Sequence, residues 1–89
     1  MIWRVLFTPK AERDLKSLQK PEEQRIKDEL TALAEEAHPR LHVKQKGNQN
    51  IPAYSYRIGR FRIILTIEDD MMVIFVIEIG DRSIVYRKY

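Results

Sequence analysis

AYSYRIGRFRIILTIEDDMMVIFVIEIGDRSIVYRKY, residues 53–89, is the stretch whose reading decides the fold. A strand, Tyr54-Ser55-Tyr56-Arg57-Ile58, is followed at Phe61 by a second, with only Gly59 and Arg60 between them. Glycine at the first of two central turn residues is what a type II′ hairpin needs, since that position requires φ > 0. The turn predicts a register with Ile58 facing Phe61, Arg57 facing Arg62 and Tyr56 facing Ile63. Alternation then assigns Tyr54, Tyr56, Ile58, Phe61, Ile63 and Leu65 to a core face. Arg57 and Arg62 fall side by side on the other. Like charges directly opposed in a hairpin are destabilising, so this pair points to a bound anion or an acidic neighbour.

After the acidic turn Glu68-Asp69-Asp70, residues 72–79 are apolar on both faces and read as an interior strand covered on each side. Gly80 is expected to end it. A bend and a short last strand, Ile84-Val85-Tyr86, then bring Arg82 and Tyr86 to the same sheet edge. Three arginines and a tyrosine gathered there make a plausible phosphodiester site. Arg62 and Arg82 are expected on an anion-facing surface and not in the core.

Working outward, Ile2 to Phe7 has the β-branched and aromatic content of a first strand, with Trp3 expected in the core. Thr8-Pro9 reads as an N-cap with proline at the first helical position, opening a helix to about Gln19. Lys20-Pro21 breaks it and starts a second helix, on which Ile26, Leu30, Leu33 and Ala37 form an apolar stripe. So short a link implies an antiparallel helical hairpin. His38 is expected as a cap at its C-terminal end, and His42 as a solvated histidine. Leu41 to Lys46 alternates like an extended strand that turns Lys44 and Lys46 to one face, and a polar loop, Gly47 to Asn50, follows. The sum is a single α+β domain over residues 1–89. A helical hairpin packs on a small, mainly antiparallel sheet in the order β-α-α-β-β-β-β.

The 89 residues carry a net charge of +3 and no cysteine, which excludes a disulfide framework and a thiolate zinc site. No histidine or carboxylate spacing resembles a metal site, and no cofactor motif appears. The longest apolar run, Met71 to Ile77, falls far short of the ~20 residues that span a bilayer. With no N-terminal signal pattern, a cytoplasmic protein without membrane contact is expected. Residues 41–67 carry five basic side chains (Lys44, Lys46, Arg57, Arg60, Arg62) and no acidic one. An acid-free segment favours a polyanion or an acidic protein partner.

The succession Tyr54-x-x-Arg57-Ile58-Gly59-x-Phe61-Arg62-Ile63-Ile64, an apolar strand, and Gly80-x-Arg82-x-x-Val85-Tyr86-Arg87 resembles the toxins of the RelE/ParE superfamily. The helical first half fits too, so the resemblance covers most of the chain and implies a RelE-like fold. RelE-like members are ribosome-dependent endoribonucleases, and ParE-like members poison DNA gyrase. The RelE-like pattern maps its active site onto Arg57, Arg62, Arg82 and Tyr86. Lys44, Lys46, Arg60, Arg87 and Lys88 are the accompanying RNA-binding candidates. Two positions depart from the pattern: Ser55 stands where RelE has lysine, and Asp81 where many relatives have histidine. The general base is left open among Lys44, Lys46, Tyr86 and a ribosomal RNA group.

The resemblance thus implies a toxin of a type II toxin–antitoxin system that cleaves mRNA in the ribosomal A site without a metal and so inhibits translation. The alternatives are a ParE-like gyrase inhibitor without catalysis and an inactive antitoxin-binding domain. The implied partners are a RelB-like antitoxin, in an arrangement that could be a heterotetramer, and the ribosome with its mRNA. Bland roles stay open beside these: Arg62 pairing with Glu78, Arg82 neutralising Asp81, Tyr86 as a core residue.

Overall fold

The structure is a computed structural model that describes residues 3–46 and 53–81. In chain order it contains β1 (Arg4–Phe7), α1 (Pro9–Lys16), α2 (Lys20–Ala34), a 3₁₀ turn (Pro39–His42), β2 (Lys44–Lys46), β3 (Ala53–Ile58), β4 (Phe61–Glu68) and β5 (Val73–Asp81). The strands form one sheet in the order β1-β5-β4-β3-β2. All neighbours are antiparallel except β1, which runs parallel to β5 with Val5 opposite Ile74. This is the expected α+β architecture and element order. The last strand expected at 84–86 and the loop at 47–50 lie outside the described residues.

The helices cover one sheet face because each presents an apolar stripe to it. Ala11 and Leu15 of α1, and Ile26, Leu30 and Leu33 of α2, are buried against Ile58, Phe61, Ile63, Leu65, Ile74 and Val76. Full burial of a side chain such as Leu30 stabilises the fold by about 1.5–3 kcal/mol. Trp3 joins this core at 5% exposure, as expected, and its backbone N–H donates to Ala34 O at 2.9 Å. Two helix ends differ from expectation. In α1 the chain leaves the helix at Ser17, whose hydroxyl donates to Asp14 O at 2.6 Å and closes the last turn. In α2 the helix stops at Ala34, which is buried, so Ala37 falls outside it and is exposed. The C-cap is accordingly Glu35, and His38 instead precedes the 3₁₀ turn.

The strand β5 departs from simple alternation. Ile64 pairs with Glu78 but Leu65 pairs with Val76, which leaves Ile77 as the extra residue of a bulge. The extra residue shifts the side-chain alternation by one. Val76 and Ile79 therefore both face the helices, and Glu78 is turned to the opposite face instead of into the apolar core. Helix α1 is tied to this irregularity. Thr8, its N-cap, accepts from Ala11 N at 3.2 Å and donates its hydroxyl hydrogen to Ile77 O at 2.9 Å. Asp14 accepts from Ile79 N at 3.1 Å. Since β1 ends at Phe7 opposite Val76, α1 takes over the backbone groups of β5 that β1 does not reach.

Gly80 does not end β5. It pairs with Arg62, and the strand continues through Asp81 opposite Phe61, because β4 extends that far and supplies a partner.

Candidate functional site

The hairpin that the sequence predicts is present in its predicted register. Gly59 has φ 58°, and Met72 is the one non-glycine residue with positive φ among the described residues, so Arg60 is not in that region. Tyr56 faces Ile63, Arg57 faces Arg62, and Ile58 faces Phe61. Directly opposed residues of antiparallel strands point to the same side of a sheet. Two rows therefore cross the face away from the helices: Lys44, Ser55, Ile64 and Glu78 in one, Arg57, Arg62 and Gly80 in the next. Lys44, Arg57 and Arg62 are thus brought to one side of the sheet by pairing alone. Lys46 stands in register opposite Ala53, at the outer end of the same edge strand.

The two arginines differ sharply in environment. Arg57 and Lys44 are exposed and make no ion pair among the described residues. Arg62 is buried, at 6% exposure, and its Nη1 donates to Ser55 Oγ at 2.9 Å. The expectation of an open surface position for Arg62 is thereby corrected. Its strand is central in the sheet, flanked on this face by Ser55 of β3 and, diagonally, by Glu78 of β5. Ser55, one of the two residues that depart from the RelE pattern, accepts this hydrogen bond and so helps to hold the guanidinium in place. Glu78 is also buried, with its carboxylate 3.7 Å from Lys10 Nζ. Ala53, Ile64 and Ile77 fill the rest of this face as a small second apolar cluster.

Arg60 is drawn to the helix side. Its Nη2 lies 3.0 Å from Glu22 Oε2, and its guanidinium sits 4.9 Å from the centre of the Phe61 ring. The structure thus separates Arg60 from the other basic candidates. Arg82, Tyr86, Arg87 and Lys88 lie outside the described residues. His42 is 3.5 Å from Glu36, and His38 is exposed. Among the described residues no cluster of three or more histidine, aspartate or glutamate side chains could hold a metal ion. Among them, too, no helix is long and apolar enough to cross a membrane.

Two features escape sequence reasoning. Arg40, on the 3₁₀ turn, donates to Tyr54 Oη at 3.0 Å and to Ile67 O at 3.2 Å, and also pairs with Asp69. Hydrogen bonds to Asp69 and Tyr54 raise its pKa still further. This clip holds the segment leading to β2, and with it Lys44, against the β3–β4 sheet. The second feature is an apolar groove of about 490 Å³ between the edge strand β1 and α2, lined by Arg4, Val5, Leu6, Phe7, Lys27 and Leu30. Neither has a local signal, since each joins residues far apart in the chain.

Comparison with known proteins fits this geometry. No curated protein sequence matches the chain significantly. Among solved structures, RelE in the RelE–RelB complex of Pyrococcus horikoshii is similar at 26% identity, covering 93% of this chain and 98% of that one with a TM-score of 0.75. The isolated E. coli RelE toxin is similar in fold at 22% identity, 97% and 93% coverage and a TM-score of 0.73. The RelB–RelE complex of Methanococcus jannaschii gives 22% identity, 94% and 98% coverage and a TM-score of 0.63. The family model described as the ParE toxin of the type II toxin–antitoxin system matches residues 5–86. The chain thus belongs to the ParE toxin family of type II toxin–antitoxin systems, within the RelE/ParE toxin superfamily.

Proposed function

We propose that this toxin is a metal-independent endoribonuclease that cuts mRNA held in the ribosomal A site and so stops translation in the cytoplasm. The observation that carries this reading is the cationic sheet face, where exposed Arg57 and Lys44 lie on the two strands to one side of a buried, Ser55-anchored Arg62. Cleavage of RNA by its own 2′-OH requires removal of that proton, stabilisation of a pentavalent phosphorane and protonation of the 5′-oxygen. Arginine suits the second of these, because its planar fork binds phosphate bidentately and stays charged. Arg57 supplies an accessible fork. Arg62, held by Ser55, supplies fixed positive charge behind it that needs no reorganisation. Arg82 would complete the clamp and assist the leaving oxygen, and Tyr86 would stack on a base. Arg87, Lys88 and Lys46 would follow the backbone electrostatically. The products would be a 2′,3′-cyclic phosphate and a 5′-OH.

A site rich in fixed charge but without a histidine pair is poor at moving protons, so it gains from a substrate already held in reacting geometry. The ribosome would supply that orientation. The partner in the resting state would be a RelB-like antitoxin, since relatives of this fold were solved with RelB-type antitoxins. The apolar groove beside β1, flanked by Arg4 and Lys27, suits an antitoxin segment with apolar anchors and acidic flanks.

A second reading has its own observation. The matching family model is that of ParE toxins, which favours a gyrase poison using the same face for binding alone. One experiment separates them: purified protein is added to a reconstituted translation system and RNA 5′ ends are mapped, with free RNA and a gyrase supercoiling assay in parallel. Cleavage confined to ribosome-bound message is the expected result. Intact message with trapped gyrase–DNA complexes would replace it with the ParE-like reading.

A further inference from the structure

On the helix side of the hairpin tip lies a cavity of about 260 Å³ lined by Glu22, Arg25, Gly59, Arg60 and Phe61, with Ile26 and Ile58 at its base. Arg25 lies directly over Gly59. A Cβ added at Gly59 would stand 2.9 Å from Arg25 Nη1, so the guanidinium fills the space beside a glycine whose positive φ already disfavours a side chain. Every carboxylate within helical reach of Arg25 is engaged elsewhere. Glu22, three residues before it, lies against Arg60 at 3.0 Å. Asp28, three residues after it, accepts from Gln24 at 2.8 Å, and Glu29, four after it, accepts from the Tyr56 hydroxyl at 3.5 Å. Arg25 makes no hydrogen bond or ion pair among the described residues, and it lines the cavity together with a second guanidinium, that of Arg60, which is held by the Phe61 ring and by Glu22, itself part of the lining.

We propose that Arg25 and Arg60 form a second phosphate-binding site at the hairpin tip, which takes a backbone phosphate of the single-stranded RNA whose neighbouring segment lies on the Arg57–Arg62 face. The proposal rests on the RNA reading above. Size and continuity favour RNA over an acidic protein. The cavity is below the roughly 300–1,000 Å³ of pockets that enclose a whole small molecule, so it suits one charged group and its sugar. Arg60 lies in the turn, past the Ile58–Phe61 rung that follows Arg57 and Arg62, so a chain of regularly spaced phosphates leaving that face meets Arg60 and Arg25 as it rounds the turn. A site remote from the scissile bond fixes the register of the strand without taking part in chemistry.

The test uses the full chain, its Arg25→Ala, Arg25→Lys and Arg57→Ala variants, and two probes. Arg25 is exposed, so its variants should keep the parent's circular dichroism and melting temperature. Inorganic phosphate, titrated against chloride at matched ionic strength, should shift the Gly59 amide resonance saturably in the parent and in Arg57→Ala, but not in Arg25→Ala. A shift that chloride reproduces, or that survives Arg25→Ala, overturns the site. A single-stranded RNA oligonucleotide, followed by fluorescence anisotropy, should lose about 0.7 in the slope of log affinity against log salt on Arg25→Ala, with Arg25→Lys keeping the slope. If Arg57→Ala lowers that slope and Arg25→Ala does not, the tip site fails while the RNA function stands. If Arg25→Ala lowers it but the parent cuts no message, the tip site stands and the nuclease reading fails. An unchanged RNA slope in Arg25→Ala with lost binding of an acidic antitoxin peptide overturns the proposal in favour of a protein partner.

Discussion

Arg57 and Arg62 oppose each other directly across the β3–β4 ladder, yet one guanidinium stands in solvent while the other is buried against the Ser55 hydroxyl. A like-charged rung of this kind weakens a hairpin unless something offsets the repulsion. The asymmetry tells how the two charges divide their roles. Arg62 is a fixed feature of the sheet, whereas Arg57 stands exposed, where the proposed function has it reach an incoming anion.

The pair should therefore report anion binding as stability. Phosphate or sulfate is expected to raise the melting temperature, by an amount equivalent to about 2.7 kcal/mol at a hundredfold excess over the dissociation constant. Chloride at equal ionic strength serves as control, and Arg57→Ala should reduce the difference to the part that the Arg25–Arg60 site contributes, with Arg57→Ala combined with Arg25→Ala removing the remainder. Equal effects of chloride and phosphate would end the case for a specific anion site on this face.

Replacing the buried partner is a different experiment from replacing the exposed one. Arg62→Ala leaves the Ser55 hydroxyl without its donor in a buried position, a loss of about 1–3 kcal/mol. For a chain of this size that is about 4–8 °C in melting temperature per kcal/mol. Arg57→Ala should stay within about 0.5 kcal/mol of the parent. Arg62→Ala melting with the parent would mean that the Ser55 contact holds nothing in place.

Arg40 reaches three partners from the 3₁₀ turn and lies 5.6 Å from the centre of the Tyr54 ring. It is partly exposed, so Arg40→Ala should cost about 1–2 kcal/mol, less than the sum of its contacts. Hydrogen exchange gives the more specific readout. Amides of β2 should exchange faster in the variant, while those of β4 and β5 keep their rates relative to global unfolding. Uniform acceleration across the sheet would show that Arg40 contributes only to overall stability.

Burial, and then the neighbouring Glu29, raise the Tyr56 pKa above its ordinary value. A group with a raised folded pKa binds its proton more tightly when folded. Its stabilising contribution is complete below the unfolded value, about pH 10, and is lost as pH rises through the higher folded value. Lys10, whose pKa is raised by its hydrogen bond to Asp14, titrates nearby and makes a control necessary. Tyr56→Phe should unfold at higher pH than the parent in alkaline titrations followed by circular dichroism. Identical alkaline midpoints would mean that Tyr56 ionises as freely in the fold as outside it.

Much of the molecule was written in short-range pattern. Gly59 dictated the hairpin and its register, because a two-residue turn leaves no freedom in which residues oppose, and that register alone put Arg57, Arg62 and Ser55 on one face, whereas Lys44 reaches it only through the separate pairing of β2 with β3. Thr8-Pro9 and the stripe Ile26, Leu30, Leu33 marked the helices for the same reason: caps and periodicity act within a turn or two of chain. Tertiary structure decided the rest. That β1 lies parallel beside β5, that the bulge at Ile77 turns Glu78 away from the helices, and that Arg62 is buried while Arg57 is not all depend on pairings between distant segments. The diversion of Arg60 to Glu22, the seat of Arg25 over Gly59 and the clip from Arg40 to Asp69 have the same origin. An arginine carries the same charge wherever it falls in a sequence, and which carboxylate or hydroxyl it meets is set only when the sheet and helices close around it.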